Sequence, residues 1–258
     1  MLAAIEVVVE NAVATVTLNR PAERNAMTLA MWQDVARIFN ELGGDAGVRA
    51  IIFTGAGGNF SVGADVAEFA KVRSNLAESA AYEVAVDASS DAIAAAPKPV
   101  IAVLEGYCLG GGCHLAMPCD FRFAHTNASI GIPAAKLSIV YGIRSTQRLL
   151  ALVGLSNAKR ILYAAERFAA DEAERMGFVD CVSPDPMAAA KAFAADIAAL
   201  APLSVAGAKR ILNGLAMGDG ALDLEAAQAF IDFVSDSDDY REGRAAFAQK
   251  RPPAFKGR

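Results

Sequence analysis

The chain has 258 residues, 54 % of apolar types and 21 % charged, with a formal net charge of −5 at pH 7. That size and apolar share support a sizeable buried core, as one large or two small domains, and exclude a disordered chain. The acidic balance argues against broad nucleic-acid binding, which needs a cationic face to displace counterions. The most apolar stretch, residues 99–117, carries Glu105, His114 and four glycines, so it does not read as a membrane span, which needs about 20 mostly apolar residues. The N-terminus shows no basic region followed by a long apolar core, and a cytoplasmic protein is expected. Four cysteines (Cys108, Cys113, Cys119, Cys181) follow no zinc spacing and only two histidines are present. The expectation is no metal site and reduced, mostly buried thiols.

In chain order, residues 5–18 are β-branched on both sides of Glu10-Asn11 and predict a β-hairpin. Thr28 is placed to cap a helix running to about Leu42, with Gly43-Gly44 as its stop. Residues 48–54 predict a buried strand. The loop Gly55-Ala-Gly-Gly-Asn-Phe-Ser-Val-Gly follows, and Asp65 with Glu68 predicts a capping box opening a helix. The Ala-rich stretch 75–96 is helical by propensity until Pro97 and Pro99 break it. Strand 100–104 leads through a second glycine-rich turn into a short helix, 110–117, closed by Pro118. Further strands are expected at 121–124, 129–132 and 178–182. Helices are expected at 144–153, 156–165, 171–176 and 186–200, and the chain past Pro202 reads as helical throughout. Strands alternating with helices, then an all-helical tail, indicate an α/β architecture.

The two glycine-rich turns carry the chemical information. Each follows an apolar strand and opens a helix, which brings bare backbone N–H groups close to any ligand there. Neither spells a dinucleotide fingerprint, since Gly110-Gly-Gly-Cys-His-Leu lacks the final glycine, and neither ends in the Gly-Lys-Ser/Thr of a phosphate loop. Spacing alone leaves two readings open: a pair of tight strand-to-helix turns, or two N–H donors forming an oxyanion hole.

The segments Phe60-Ser-Val-Gly-Ala-Asp-Val-Ala-Glu-Phe and Val103-Leu-Glu-Gly-Tyr-Cys-Leu-Gly-Gly-Gly-Cys-His-Leu-Ala-Met-Pro-Cys-Asp together resemble the enoyl-CoA hydratase/isomerase (crotonase) superfamily. Asn19-Arg-Pro-Ala-Glu-Arg-Asn-Ala-Met, Ser145-Thr-Gln-Arg-Leu and Ala173-Glu-Arg-Met-Gly-Phe-Val-Asp extend the resemblance over nearly the whole chain. It implies a spiral of ββα units over residues 1–200 and a helical trimerisation region over 201–258, assembled as a homotrimer or a dimer of trimers. It also implies an acyl-CoA thioester as substrate, with coenzyme A as part of that substrate and no separate cofactor. Carried over by position, the oxyanion hole is the backbone N–H groups of Ala64 and Gly111. The stretch Ala64, Asp65 and Val66 meets the adenine through backbone atoms. Arg24, Ala26 and the tail residue Lys256 are coenzyme A contacts, with Arg24 and Lys256 near its phosphates.

The departures from the family pattern are as informative. The resemblance implies two glutamates in a hydratase, and those positions here hold His114 and Ala134. Alanine can neither activate water nor deliver a proton. His114 follows Gly111 by three residues and leans toward the start of its helix, where it suits a neutral base or hydrogen-bond donor. The alternative is a histidine packed at an interface. Tyr141 is similar in place to the tyrosine of methylmalonyl-CoA decarboxylases of the superfamily, and it can equally be a hydrogen-bonded loop corner. Secondary candidates are Glu105, Asp120, Ser138, Arg144 and Gln147. The resulting expectation is an acyl-CoA enzyme that stabilises a thioester enolate with atypical acid–base residues. The alternatives are a decarboxylase and a non-catalytic acyl-CoA-binding protein.

Overall fold

A computed structural model describes residues 3–137, 139–218 and 222–258. Strands β1 (Ile5–Glu10) and β2 (Val13–Leu18) pair antiparallel, and Asn11 and Ala12 between them both take positive φ. That is the backbone a two-residue hairpin turn requires, and asparagine tolerates it well. The side chain of Thr28 accepts the Met31 N–H at 3.3 Å and opens α1 (Leu29–Gly44). This helix runs through Gly43-Gly44 instead of ending before them. A Cβ on Gly43 would lie 3.2 Å from Pro97 Cδ, so glycine there serves close packing and not termination.

Strand β3 (Ala50–Gly55) is followed by the first glycine-rich loop, then α2 (Phe69–Val72) and α3 (Leu76–Ala95). The expected capping box is only half formed. Asp65 accepts the Ala67 N–H at 3.2 Å over a single 3₁₀ turn, Val66–Glu68. The Glu68 carboxylate instead reaches the Leu29 N–H, at 2.8 Å, and caps α1. Next come β4 (Val100–Leu104), β5 (Tyr107–Leu109) and α4 (Gly111–Ala116), then β6 (Phe121–His125) and β7 (Ser129–Gly131). The two helices expected over 144–165 are joined as α5 (Ile143–Ala164), broken at Gly154 with φ 71° and ψ 170°. The chain continues through β8 (Phe168–Ala169), α6 (Ala170–Arg175), β9 (Cys181–Ser183) and α7 (Pro186–Ala198). The tail holds α8 (Pro202–Ala216), α9 (Leu224–Ser235) and α10 (Asp238–Gln249), but residues 250–258, expected to be helical too, are not. Among the described residues, no single helix is long and apolar enough to cross a membrane.

Six strands form one sheet in the order β1-β2-β3-β4-β6-β9, parallel except for the hairpin, and β5-β7-β8 form a second sheet. Successive turns of chain therefore place one strand in each sheet: β4 then β5, β6 then β7. The isolated bridge between Ser61 and Cys108 puts the first glycine-rich loop beside the second sheet. Strand β3 is buried along nearly its whole length because both faces are covered. Ile51 and Phe53 face the main core with Trp32 and Phe39, while Ala50 and Ile52 face α7 through Ala190 and Ala194. Parallel strands covered on both sides read as continuous apolar runs, which is why the sequence pattern located β3 and β4. The tail is fastened to this body by α8, whose Lys209 donates to Asp120 at 2.8 Å and to the Lys98 carbonyl at 3.0 Å. Asp120 also accepts the Val100 N–H at 2.7 Å, so it pairs and anchors instead of facing a ligand. Cys108, Cys113 and Cys119 are buried and all four thiols are free, with burial pushing Cys119 up to about 12.

Candidate functional site: an apolar cavity with two open amides

Ala64 lies in a short parallel bridge with Met27. Met27 N–H donates to the Gly63 carbonyl at 2.8 Å, and Asp65 N–H donates to the Met27 carbonyl at 2.9 Å. That pattern uses the amides on either side and leaves the Ala64 N–H with no acceptor among the described residues. Gly111 is the first residue of α4, so its N–H has no carbonyl one turn back to bond. The preceding residue, Gly110, holds φ 53° and ψ −109°, a conformation that only glycine adopts readily, and its own N–H is tied to the Gly131 carbonyl at 2.8 Å. The two turns touch. A Cβ on Gly63, which has φ +93°, would lie 2.7 Å from Gly111 N. Ala64 and Gly111 therefore lie on touching turns, and both residues line one cavity of about 170 Å³ together with His114, Tyr141 and Ser145.

His114 is 4 % exposed and faces this cavity within its own chain. One ring nitrogen, Nε2, lies 3.0 Å from the Val86 carbonyl of α3; the other, Nδ1, lies 2.7 Å from Ser145 Oγ of α5. A carbonyl only accepts, which assigns the proton to Nε2 and leaves Nδ1 to accept the serine hydroxyl. Trp32 meets the ring edge-on with centroids 5.9 Å apart, and Tyr141 does so at 6.4 Å. The imidazole pKa is held below its ordinary value, chiefly by burial. Exclusion of water thus favours the neutral ring.

Tyr141 donates its phenol to the Gly110 carbonyl at 3.2 Å, bracing the second glycine turn from behind, and burial keeps it protonated well above its usual range. Ala134, the second substituted carboxylate position, also lines the cavity. Asp65 serves as the cap and accepts from Arg20 Nη1 at 3.0 Å. Val66 beside it is 65 % exposed at the cavity mouth. Ala26 is buried, with its carbonyl taken by Arg20 at 2.6 Å and its N–H by Glu23 at 3.1 Å. Its polar backbone atoms are thus used inside the chain. Arg24 lies over the Tyr107 ring at 5.3 Å, in a recess of about 590 Å³ that shares Val62 and Pro133 with the cavity. Lys256 is not brought there. Its N–H donates to Asp239 at 2.6 Å, on α10, among Glu242, Arg251 and Arg258. Arg144 pairs with Asp91 and Gln147 reaches the Met217 carbonyl, while Glu105 contributes its backbone carbonyl to Phe60 N–H at 2.8 Å. Ser138 lies outside the described residues.

Several cavity residues were not singled out by sequence. From α3 come Tyr82, Glu83 and Asp87, and from α5 Ser145. Glu83 is paired with Arg73 at 2.8 Å, whereas Asp87 has no hydrogen-bond partner among the described residues. In the neighbouring recess, Arg167 stacks over Tyr107 at 5.4 Å and joins Arg24 in a double-cation pair on one ring. No local pattern marks these positions, because α3 is apolar and polar on all sides and Arg167 precedes a strand of two residues. Among the described residues no cluster of His, Cys, Asp or Glu is arranged to hold a metal ion.

The family model for enoyl-CoA hydratase/isomerase matches residues 8–258. The short-chain-enoyl-CoA hydratase of Clostridium acetobutylicum is 37 % identical over 255 residues, covering 96 % of each chain. Among solved structures, an enoyl-CoA hydratase/carnithine racemase from Magnetospirillum magneticum superposes with a TM-score of 0.93 at 35 % identity, covering 100 % of this chain and 97 % of that one. An enoyl-CoA hydratase from Bacillus anthracis superposes at 0.89 with 33 % identity, covering 99 % of this chain and 100 % of that one. Two touching glycine turns, a spiral of strands and a helical tail define the crotonase fold. The chain belongs to the enoyl-CoA hydratase/isomerase family.

Proposed function

We propose that the protein is an acyl-CoA enzyme that binds its thioester carbonyl between the Ala64 and Gly111 amides and stabilises the enolate formed there. The observation that carries this reading is that the Ala64 and Gly111 N–H groups have no acceptor among the described residues and belong to touching turns that line one largely apolar cavity. As the α-carbon loses a proton or gains a nucleophile at its neighbour, charge collects on the thioester oxygen. Two fixed donors already aimed at that oxygen stabilise it without reorganisation, an effect typically worth about 3 kcal/mol per donor.

The apolar lining from Trp32, Ile132, Leu137 and Val140 suits an acyl chain. The recess with Arg24 and Arg167 suits the phosphates of coenzyme A, and its shared wall with the cavity gives the pantetheine a path between them. His114 and Tyr141 enter with their polar atoms already engaged. In this reading Asp87 therefore takes the direct proton-transfer role, while His114 and Tyr141 shape the wall around it. The nature of the relatives named above favours hydration or double-bond migration of an enoyl-CoA over decarboxylation, and the engaged Tyr141 phenol points the same way.

The test is a panel of crotonyl-CoA, a 3-enoyl-CoA and methylmalonyl-CoA with the wild-type protein and Asp87→Asn. Turnover of either enoyl thioester, lost in the variant while binding persists, is expected. Release of CO2 from methylmalonyl-CoA would replace this reading by the decarboxylase. Binding of the whole panel without turnover would leave a non-catalytic acyl-CoA protein.

A further inference from the structure

Ser145 and His114 form a pair that α-carbon chemistry does not require. Ser145 Oγ lies 2.7 Å from His114 Nδ1, and His114 Nε2 lies 3.0 Å from the Val86 carbonyl. The base is thus aimed at a hydroxyl and oriented by a third group, the arrangement that activates a serine nucleophile. A serine in the first turn of a helix ordinarily turns to nearby backbone. Here Gly142 is the N-cap of α5 without any side-chain cap, and the one described bond of Ser145 Oγ goes to the imidazole. Packing by Trp32 and Tyr141 holds the ring in that pose. Ser145, His114 and the two open amides line the same cavity.

We propose that Ser145 is a nucleophile activated by His114, and that the cavity also cleaves acyl-CoA thioesters through an acyl-serine ester. This rests on the placement of the thioester carbonyl at Ala64 and Gly111 proposed above. Ser145 Oγ gives its proton to His114 Nδ1 and forms a bond to the carbonyl carbon, and the displaced π pair moves to the oxygen held by the two amides. On collapse the carbon–sulfur bond breaks and the Nδ1 proton passes to the sulfur, releasing coenzyme A as its thiol. Water then attacks the ester with Nδ1 taking its proton, and that proton returns to Oγ as the carboxylic acid departs. The orienting group is a neutral carbonyl and not a carboxylate, so the imidazolium is less well stabilised and both half-reactions are slowed; the thioester is the more reactive acyl donor, so its attack by Ser145 outpaces hydrolysis of the serine ester. An acyl-enzyme that accumulates is the expected signature.

Butyryl-CoA is the chosen probe because it is saturated, so neither hydration nor double-bond migration can consume it. Mixed with the full-length protein, it is expected to give a burst of free thiol close to the enzyme concentration and a butyryl increment on the intact mass. Peptide mapping is expected to place that increment on Ser145. Ser145→Ala abolishes both signals while keeping affinity for butyryl-CoA, and His114→Ala slows thiol release about 100-fold or more. Binding without thiol release or adduct, or an adduct mapped to another residue, overturns the proposal and leaves the oxyanion-hole reading standing. Failure to bind butyryl-CoA at all overturns both.

Discussion

A methyl group on Gly63 is the smallest change that separates the two amides. It would sit 2.7 Å from Gly111 N and 2.8 Å from the Leu109 carbonyl, on a residue with φ +93°. Gly63→Ala is expected to lower kcat/KM for an enoyl-CoA by about 100-fold or more, the scale of losing an oxyanion-hole donor, with a smaller effect on the affinity for free coenzyme A. His114 gives a second prediction at this scale. Its folded-state pKa lies below the ordinary value, mainly through burial, so the unfolded chain binds more protons between the two values. The stabilisation is full above an unfolded pKa of about 6.5 and declines as pH falls toward the folded pKa, by at most about 1.4 kcal/mol per pH unit. Urea unfolding at pH 7.5 and 5.5 is expected to show a larger acid loss for the wild type than for His114→Gln. Equal losses would mean that the ring does not resist protonation. Among individual residues, sequence was informative where backbone chemistry is restrictive: Gly63, Gly110 and Gly111 each stand where a side chain collides or a conformation is reserved for glycine. The partners of His114 were not legible, because Val86 and Ser145 lie 28 and 31 residues away and meet it only in three dimensions.

At the scale of elements, α3 connects the cavity to the body of the fold. It packs along α1, and the Trp32 indole N–H donates to the Tyr82 hydroxyl at 2.8 Å in a buried setting that pushes the phenol up to about 12. The same helix supplies Val86 to His114 and Asp87 to the cavity. Tyr82→Phe leaves the indole N–H buried without its acceptor, for a cost of about 1–3 kcal/mol in unfolding free energy, and the loss in activity should exceed that of a surface Tyr163→Phe control. Chemical denaturation alongside steady-state kinetics checks both. Strands and caps were largely readable: apolar runs gave β3 and β4, and Thr28 caps α1 as its position suggested. The misreadings share one cause. Glu68 and Gly43 were assigned by local rules, whereas a tertiary neighbour claims each; the separate helices read at 144–153 and 156–165 do part at Gly154, whose backbone is not helical. Strand β5 was missed because its three residues lie inside the segment read as a glycine-rich turn, and β8, of two residues, carries too few positions for any pattern to show.

For the whole molecule, large apolar side chains remain exposed on the tail: Leu212 and Leu215 on α8, Leu224 and Phe233 on α9, and Phe247 at 88 % on α10. So many large apolar side chains left exposed on the helices of one tail suit a surface that another chain covers. Self-association through this tail, into trimers or pairs of trimers, is the expected state. Light scattering coupled to size exclusion should give a multiple of three chains, and Phe247→Glu should shift it toward smaller species. A single-chain mass for the wild type would contradict it. At this scale pattern alone gave only an α/β architecture, and the spiral was legible through the family resemblance, which the superposed solved structures bear out. The route by which Lys256 would meet a ligand was not, since within one chain the tail folds onto Asp239.

The most direct measurement is the infrared carbonyl stretch of crotonyl-CoA, labelled with carbon-13 at the thioester carbon, bound to the protein. Polarisation by the Ala64 and Gly111 amides predicts a band at lower frequency than in water, returning toward the solution value in Gly63→Ala. A bound carbonyl whose frequency matches that in water, or shifts equally in the variant, would contradict the placement on which the whole reading of this cavity depends.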